Sequence, residues 1–167
     1  YHNRSSSLVD KQIIASLKAE QPDIIVITGD LIDCKTTDVE IALDFVSEIS
    51  GIAPVYYVTG NHEANLSQNN QEAFETLLKG LTDLNVTLLR NNSVIIKNKA
   101  GDSFNLHGID DPYFYGNYSQ VFQRTEILCD DLNMNTDEFN VLLAHHPETL
   151  SVYYKYNIDL IFSGHAH

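Results

Sequence analysis

An α/β fold with parallel strand pairing is predicted by three features of this sequence. Four short apolar runs recur along it: Asp23–Thr28 (DIIVIT), Pro54–Thr59 (PVYYVT), Phe139–Ala144 (FNVLLA) and Ile158–Ser163 (IDLIFS). They are rich in β-branched and aromatic residues and too short for helices, which suits buried strands. Stretches of helical periodicity lie between them, and a β–α–β–α alternation is the pattern of a parallel sheet covered by helices.

Taken in order, Leu8–Ala19 reads as a helix with apolar residues at Leu8, Ile13, Ala15 and Leu17, ended by Gln21-Pro22. Asp38–Ile49 places Val39, Ala42, Leu43, Val46 and Ile49 at three-to-four spacing, with Gly51 positioned to cap the end. Gln71–Leu81 is a third helix, preceded by a loop at Asn65–Asn70. The middle of the chain changes character. Val86–Leu89, Ser93–Lys97 and Ser103–Ile109 are short strand candidates joined by polar links, and they read as an antiparallel meander. His107 alternates with Phe104, Leu106 and Ile109 there, the pattern of a structural histidine. Asp110–Asp137 is acidic and aromatic, a loop followed by a helix; Asp110-Asp111-Pro112 reads as a turn and Tyr113–Tyr118 as a packed loop.

Composition narrows the functional classes. With 167 residues and 43% apolar content, the chain has the size of one domain and enough apolar surface to build a core. Ten Lys and Arg against 23 Asp and Glu give a formal charge of −13. That charge argues against a nucleic-acid polymer or an anionic membrane surface as partner. No apolar run approaches the ~20 residues of a membrane span. Cys34 and Cys129 are far apart and lie in no CxxC pattern, so neither a disulfide framework nor a thiolate zinc site is indicated. Cellular location and oligomeric state are not encoded in any motif.

The chemistry collects at the ends of the apolar runs. The first is followed by Gly29-Asp30, the second by Gly60-Asn61-His62-Glu63, the third by His145-His146 and the fourth by Gly164-His165-Ala166-His167. Ligands of open α/β sheets bind beyond the carboxyl ends of the strands, so four such ends converge on one place. Five of the seven histidines fall in these clusters. Imidazole, carboxylate and amide oxygen together suit Zn, Fe, Mn, Ni or Co, and an Asp between two ions can bridge them about 3.5–4 Å apart. Turn and cap chemistry is the bland alternative for any one of these residues, but it does not account for the set.

In order and spacing, these motifs resemble those of the calcineurin-like metallophosphoesterases, whose pattern runs Asp-X-His, GD, GNH(D/E), a lone His and GHXH. The resemblance implies a four-layer αββα sandwich of two mixed sheets flanked by helices. It also implies two divalent ions, with manganese favoured, and hydrolysis of a phosphodiester, phosphomonoester or pyrophosphate-like bond in a small molecule by a di-metal-activated hydroxide. Carried over by position, His2, Asp30 and His167 would hold one ion, and Asp30, Asn61, His145 and His165 the other. His62 would stabilise charge on the phosphate and protonate the leaving oxygen, with Glu63 orienting it. HNR, PDIIVITGDLID, GNHE, HHPE and GHAH resemble the bacterial small-molecule branch in particular. The Asp of the opening motif would fall ahead of Tyr1, and family chains continue past His167. Residues 1–167 are therefore expected to be a single domain without the first strand, its Asp and the C-terminal strands. A non-catalytic scaffold of the same fold and a one-metal hydrolase are the competing readings.

Overall fold

The computed structural model describes residues 7–33, 38–132, 134 and 137–166. Its elements run α1 (Ser7–Glu20), β1 (Ile25–Thr28), α2 (Val39–Ser50), β2 (Val55–Val58), α3 (Asn61–Asn69), α4 (Gln71–Asp83), β3 (Thr87–Leu88), β4 (Asn92–Lys97), β5 (Ser103–Gly108), α5 (Val121–Asp130), β6 (Asn140–Ala144), α6 (Leu150–Tyr153) and β7 (Leu160–Ser163). Single 3-10 turns lie at Pro112–Phe114, Tyr118–Gln120 and Pro147–Thr149.

Local chemistry sets the boundaries. α1 stops where Gln21 turns to φ 49° ahead of Pro22, which cannot donate to the helix. Asp38 caps α2 by accepting from the amides of Glu40 and Ile41 at 3.1 and 3.3 Å. Gly51 closes that helix as expected, but at a right-handed φ of −73°, its amide bonded to the Ile49 carbonyl.

Two sheets form. One has the order β1-β2-β3, all parallel; the other has the order β4-β5-β6-β7, with β4 antiparallel to β5 and the rest parallel. Side-chain alternation along the strands divides the interior into three cores. Ile25, Val55 and Tyr57 face Ala42, Phe45, Val46, Ile49, Phe74 and Leu77 of α2 and α4. Their neighbours Val26, Tyr56 and Val58 face the other way, onto Leu106, Val141 and Leu143 of the second sheet. On that sheet's far side Leu142 and Ala144 pack with Leu128, Cys129 and Tyr153 of α5 and α6. The result is two sheets face to face with helices outside each. β6 is buried along its whole length, which is why FNVLLA reads as an apolar run without alternation.

Two expectations are corrected. The run at 86–89 does not join a meander: β3 pairs parallel with β2, and the Leu89 amide donates to the Tyr57 carbonyl at 2.8 Å. Val86 lies in the core against α4 and Leu89 in the core between the sheets, so the segment is buried on both faces, as parallel strands are. Among the described residues, only β4 and β5 form an antiparallel pair. The second correction is α3, a helix in a stretch read as loop from Asn65 to Asn70.

His107 is a satisfied structural histidine, as expected, bonded to Ser93 Oγ at 2.6 Å and Asn140 Oδ1 at 2.9 Å. At the end of β5 the sheets come close. A Cβ on Gly108 would lie 2.3 Å from Leu89 Cβ and 2.7 Å from Val58 Cγ1.

Candidate metal centre

Asp30 follows β1, Asn61 and His62 open α3 after β2, His145 follows β6, and His165 follows β7. Strand ends from both sheets thus meet, as the motif positions predict. The loop after β1 makes the sharpest turn, with Gly29 at φ 89° and Asp30 itself at φ 52°. The glycines allow the close approach: a Cβ on Gly60 would stand 2.4 Å from Asp30 Oδ1.

Glu63 fixes these loops. It is fully buried, and its carboxylate accepts from the amides of Gly60 at 2.7 Å, Asp30 at 2.9 Å, Leu31 at 2.8 Å and Ile32 at 3.2 Å. One side chain from α3 thereby clamps the turn after β1 to the turn after β2. Burial first, and then the Asp30 charge, raise its pKa, and the amide bonds offset part of that rise. Asp30 Oδ1 in turn accepts from the His62 amide at 3.0 Å. The His62 ring is half-buried in the first turn of α3.

The polar atoms that remain point at one another. Asn61 Oδ1 lies 2.9 Å from His145 Nε2 and 3.0 Å from His165 Nδ1, and those two nitrogens are 3.2 Å apart. Asp30 Oδ2 is 3.2 Å from His145 Nε2. Since His145 Nδ1 donates to the Thr28 carbonyl at 2.7 Å, the neutral ring turns a lone pair toward these oxygens. Atoms crowded in this way are satisfied by a proton on a ring nitrogen or by a cation among them. Zn–N and Zn–O bonds are about 2.0–2.2 Å, and an octahedral ion with such bonds has ligand atoms about 3 Å apart along each edge. The donor set and its spacing fit a divalent ion.

Electrostatics agree. Burial alone would raise the Asp30 carboxyl, but the bond and charge of His145 and the His62 amide outweigh it and bring the pKa to about 2. Burial would lower His145, and Asp30 reverses this to a net rise. Burial, followed by the charges of His146 and His145, lowers His165.

Of the residues expected at the site, Asp30, Asn61, His62, Glu63, His145 and His165 come together. His2 and His167, as well as Cys34, lie outside the described residues. Three further groups surround the site. His146, buried, has Nε2 2.9 Å from Asp111 Oδ2 and Nδ1 2.8 Å from Glu148 Oε1, and Tyr113 packs edge-on against its ring. Asp111 also caps the following turn through the Tyr113 amide, so the turn reading holds while its other oxygen faces the site. Next to it, Asp110 binds Arg90 through both oxygens and accepts from Thr59 Oγ1 at 2.9 Å. Thr59 immediately precedes Gly60, so this ion pair braces the same loop. Their sequence separations conceal these contacts; Glu148 alone had a local signal, two residues from His146 across a proline.

This arrangement of strand-end Asp, Asn and His between two sheets has a counterpart among known proteins: residues 5–167 match the calcineurin-like phosphoesterase family, and the chain belongs to it. It is 28% identical over 99% of its length to an uncharacterized metallophosphoesterase of Campylobacter jejuni, covering 40% of that protein. It is 27% identical over 99% of its length to the uncharacterized metallophosphoesterase YkoQ of Bacillus subtilis, covering 57% of it. A bovine transmembrane protein with a metallophosphoesterase domain is 30% identical over 88% of the chain, which covers 33% of that protein. The chain therefore spans about a third to three-fifths of these relatives, which include eukaryotic as well as bacterial proteins. No helix among the described residues is long and apolar enough to cross a membrane.

Proposed function

We propose that this chain carries the hydrolytic centre of a metal-dependent phosphoesterase. The substrate is a small molecule with a phosphodiester or pyrophosphate-like bond rather than a protein phosphate. The observation that carries this reading is the convergence of Asp30 Oδ2, Asn61 Oδ1, His145 Nε2 and His165 Nδ1, a carboxylate, an amide oxygen and two imidazole nitrogens at the spacing of ligands around one ion. These four would hold one divalent ion, and Asp30 would bridge to a second with His2 and His167. Manganese is the favoured metal among ions that accept this ligand set. Bound ions supply an activated water and offset charge on the phosphoryl group. Two of them add four positive charges where a chain of net charge −13 must accept an anion.

The remaining work falls to the protein's own groups. His62 stands at the amino end of α3, where the helix dipole favours an anion, and beside Asp30. It donates a proton to the leaving oxygen. Glu63 keeps Asp30 and Asn61 in register by holding the backbone of both loops.

The test is metal content and turnover of bis(p-nitrophenyl) phosphate by the full-length protein. Two ions per chain, lost together with activity in Asp30→Asn, are expected. His62→Ala keeps its metal and loses about 10²–10⁴-fold in rate. No metal uptake from Mn²⁺ or Zn²⁺ would return the scaffold reading, and a single ion with full activity would indicate a one-metal hydrolase.

A further inference from the structure

His165 poses a positioning problem that His145 does not. The ring of His145 is fixed by a backbone carbonyl of β1. His165 follows β7, the outermost strand of its sheet among the described residues, and its backbone sits at φ 63°, a left-handed conformation unusual for a residue with a side chain. Its ring is half-buried, and its two nitrogens are equivalent until a partner distinguishes them. Nδ1 faces Asn61 and His145. The opposite nitrogen, Nε2, faces Glu148 Oε1 at 3.9 Å, within ion-pair reach and longer than a hydrogen bond.

Glu148 is not free to wander. The same Oε1 accepts from His146 Nδ1 at 2.8 Å, and the His146 ring lies against that of His165 with centroids 4.6 Å apart. The far side of His146 meets Asp111, whose amide donates to Thr59 Oγ1 at 3.0 Å. A continuous line of contacts thus runs from the residue before Gly60, through Asp111, His146 and Glu148, to the outer edge of His165.

We infer that Glu148 is the positioning carboxylate of His165: held by His146, it draws the ring proton to Nε2 and leaves the Nδ1 lone pair for the cluster of Asp30, Asn61 and His145. The inference rests on the reading of that cluster as a metal site. Its physical basis is general. A ligating imidazole gives its other N–H to a carboxylate or carbonyl, which fixes tautomer and orientation, and loss of that partner costs about 10–100-fold in metal affinity. His145 uses the Thr28 carbonyl in this way; His165 uses a side chain.

Two readouts on the full-length protein test this, and neither depends on turnover. In the metal-free protein, ¹⁵N shifts of the His165 ring report the tautomer. In titrations with Mn²⁺ alone, calorimetry reports affinity and stoichiometry. Glu148→Ala is expected to mix the two tautomers and to weaken one Mn²⁺ site about 10–100-fold. Glu148→Gln keeps an acceptor oxygen and is expected to restore the Nε2–H tautomer and part of the affinity. Glu148 is one-third exposed, so neither variant should disturb folding, and matching thermal melts check this. A parent-like tautomer and affinity in Glu148→Ala would overturn the inference. So would loss of one whole Mn²⁺ per chain with the others unchanged, because His146, Glu148 and His165 would then be ligands of a further cation. Failure of the parent to bind Mn²⁺ would overturn the metal reading itself, an outcome distinct from both.

Discussion

Glu63 and Asp30 are adjoining carboxylates with opposite tasks. The Glu63 oxygens are consumed by four amides, whereas Asp30 spends one oxygen on the His62 amide and turns the other toward the histidines. Replacing Glu63 by Gln leaves one oxygen for four donors and sets an NH₂ group against two of them. The expected cost is about 3–5 kcal/mol, the range for breaking a buried charged network, read as a lower urea midpoint at constant m value. A parent-like midpoint would show that the clamp adds nothing. The histidines carry a pH prediction. Asp30 raises the proton affinity of His145 above the ordinary range. A raised pKa means that the ring keeps its proton to higher pH, so a cation must displace it on acidification. Apparent Mn²⁺ affinity should therefore fall as pH drops through and below neutrality, and each binding event should release more protons at pH 6 than at pH 8.5. Calorimetry in buffers of different ionisation enthalpy measures that release, and equal values at the two pH values would contradict the geometry.

The elements differ in how openly the sequence announces them. β1, β2 and β6 were legible because buried parallel strands leave short apolar runs, whereas β7 carries such a run with Leu160 and Phe162 exposed; the residues that follow these runs must lie at the site end of a sheet. α3 was hidden for an equally physical reason. NHEANLSQN has little apolar periodicity, and its anchors are Glu63, Ala64 and Leu66, the first of which reaches backbone partners some thirty residues earlier. No local window contains that information. β3 was misread because a four-residue apolar run does not declare which neighbour it will join. The pairing of Asp111, His146 and Glu148 was invisible for the same reason, although each residue stood in a motif already singled out. Contact between the sheets yields the prediction at this scale. Gly108→Ala drives a methyl into Leu89 and Val58. It should cost about 1–3 kcal/mol, or more if the sheets cannot separate. Gly101→Ala lacks any such neighbour, but its φ of 98° makes it a test of backbone strain instead. Comparison of the two variants by chemical denaturation separates the two causes.

For the molecule as a whole, the site joins the two sheets at their strand ends. Asp30 and Asn61 belong to one sheet, His145 and His165 to the other. A cation bound by all four is therefore a cross-link between the two halves of the sandwich, and it binds the folded state alone. Free Mn²⁺ at a hundred times its dissociation constant should stabilise the protein by about 2.7 kcal/mol, and Asp30→Ala should abolish the shift in melting temperature. An identical shift in that variant would place the ion elsewhere. The same arrangement has a consequence for how the protein is made. A polypeptide leaves the ribosome amino end first, at about 5–20 residues per second. Asp30 and Asn61 emerge early, and His165 only after more than a hundred further residues, a delay on the order of ten seconds. For most of that interval the nascent chain exposes two of the four proposed donors, too sparse a set to retain a divalent ion. With the proposed ligand set, loading would be deferred until translation has passed β7, and a product terminated before Gly164 would lack one of its ligands.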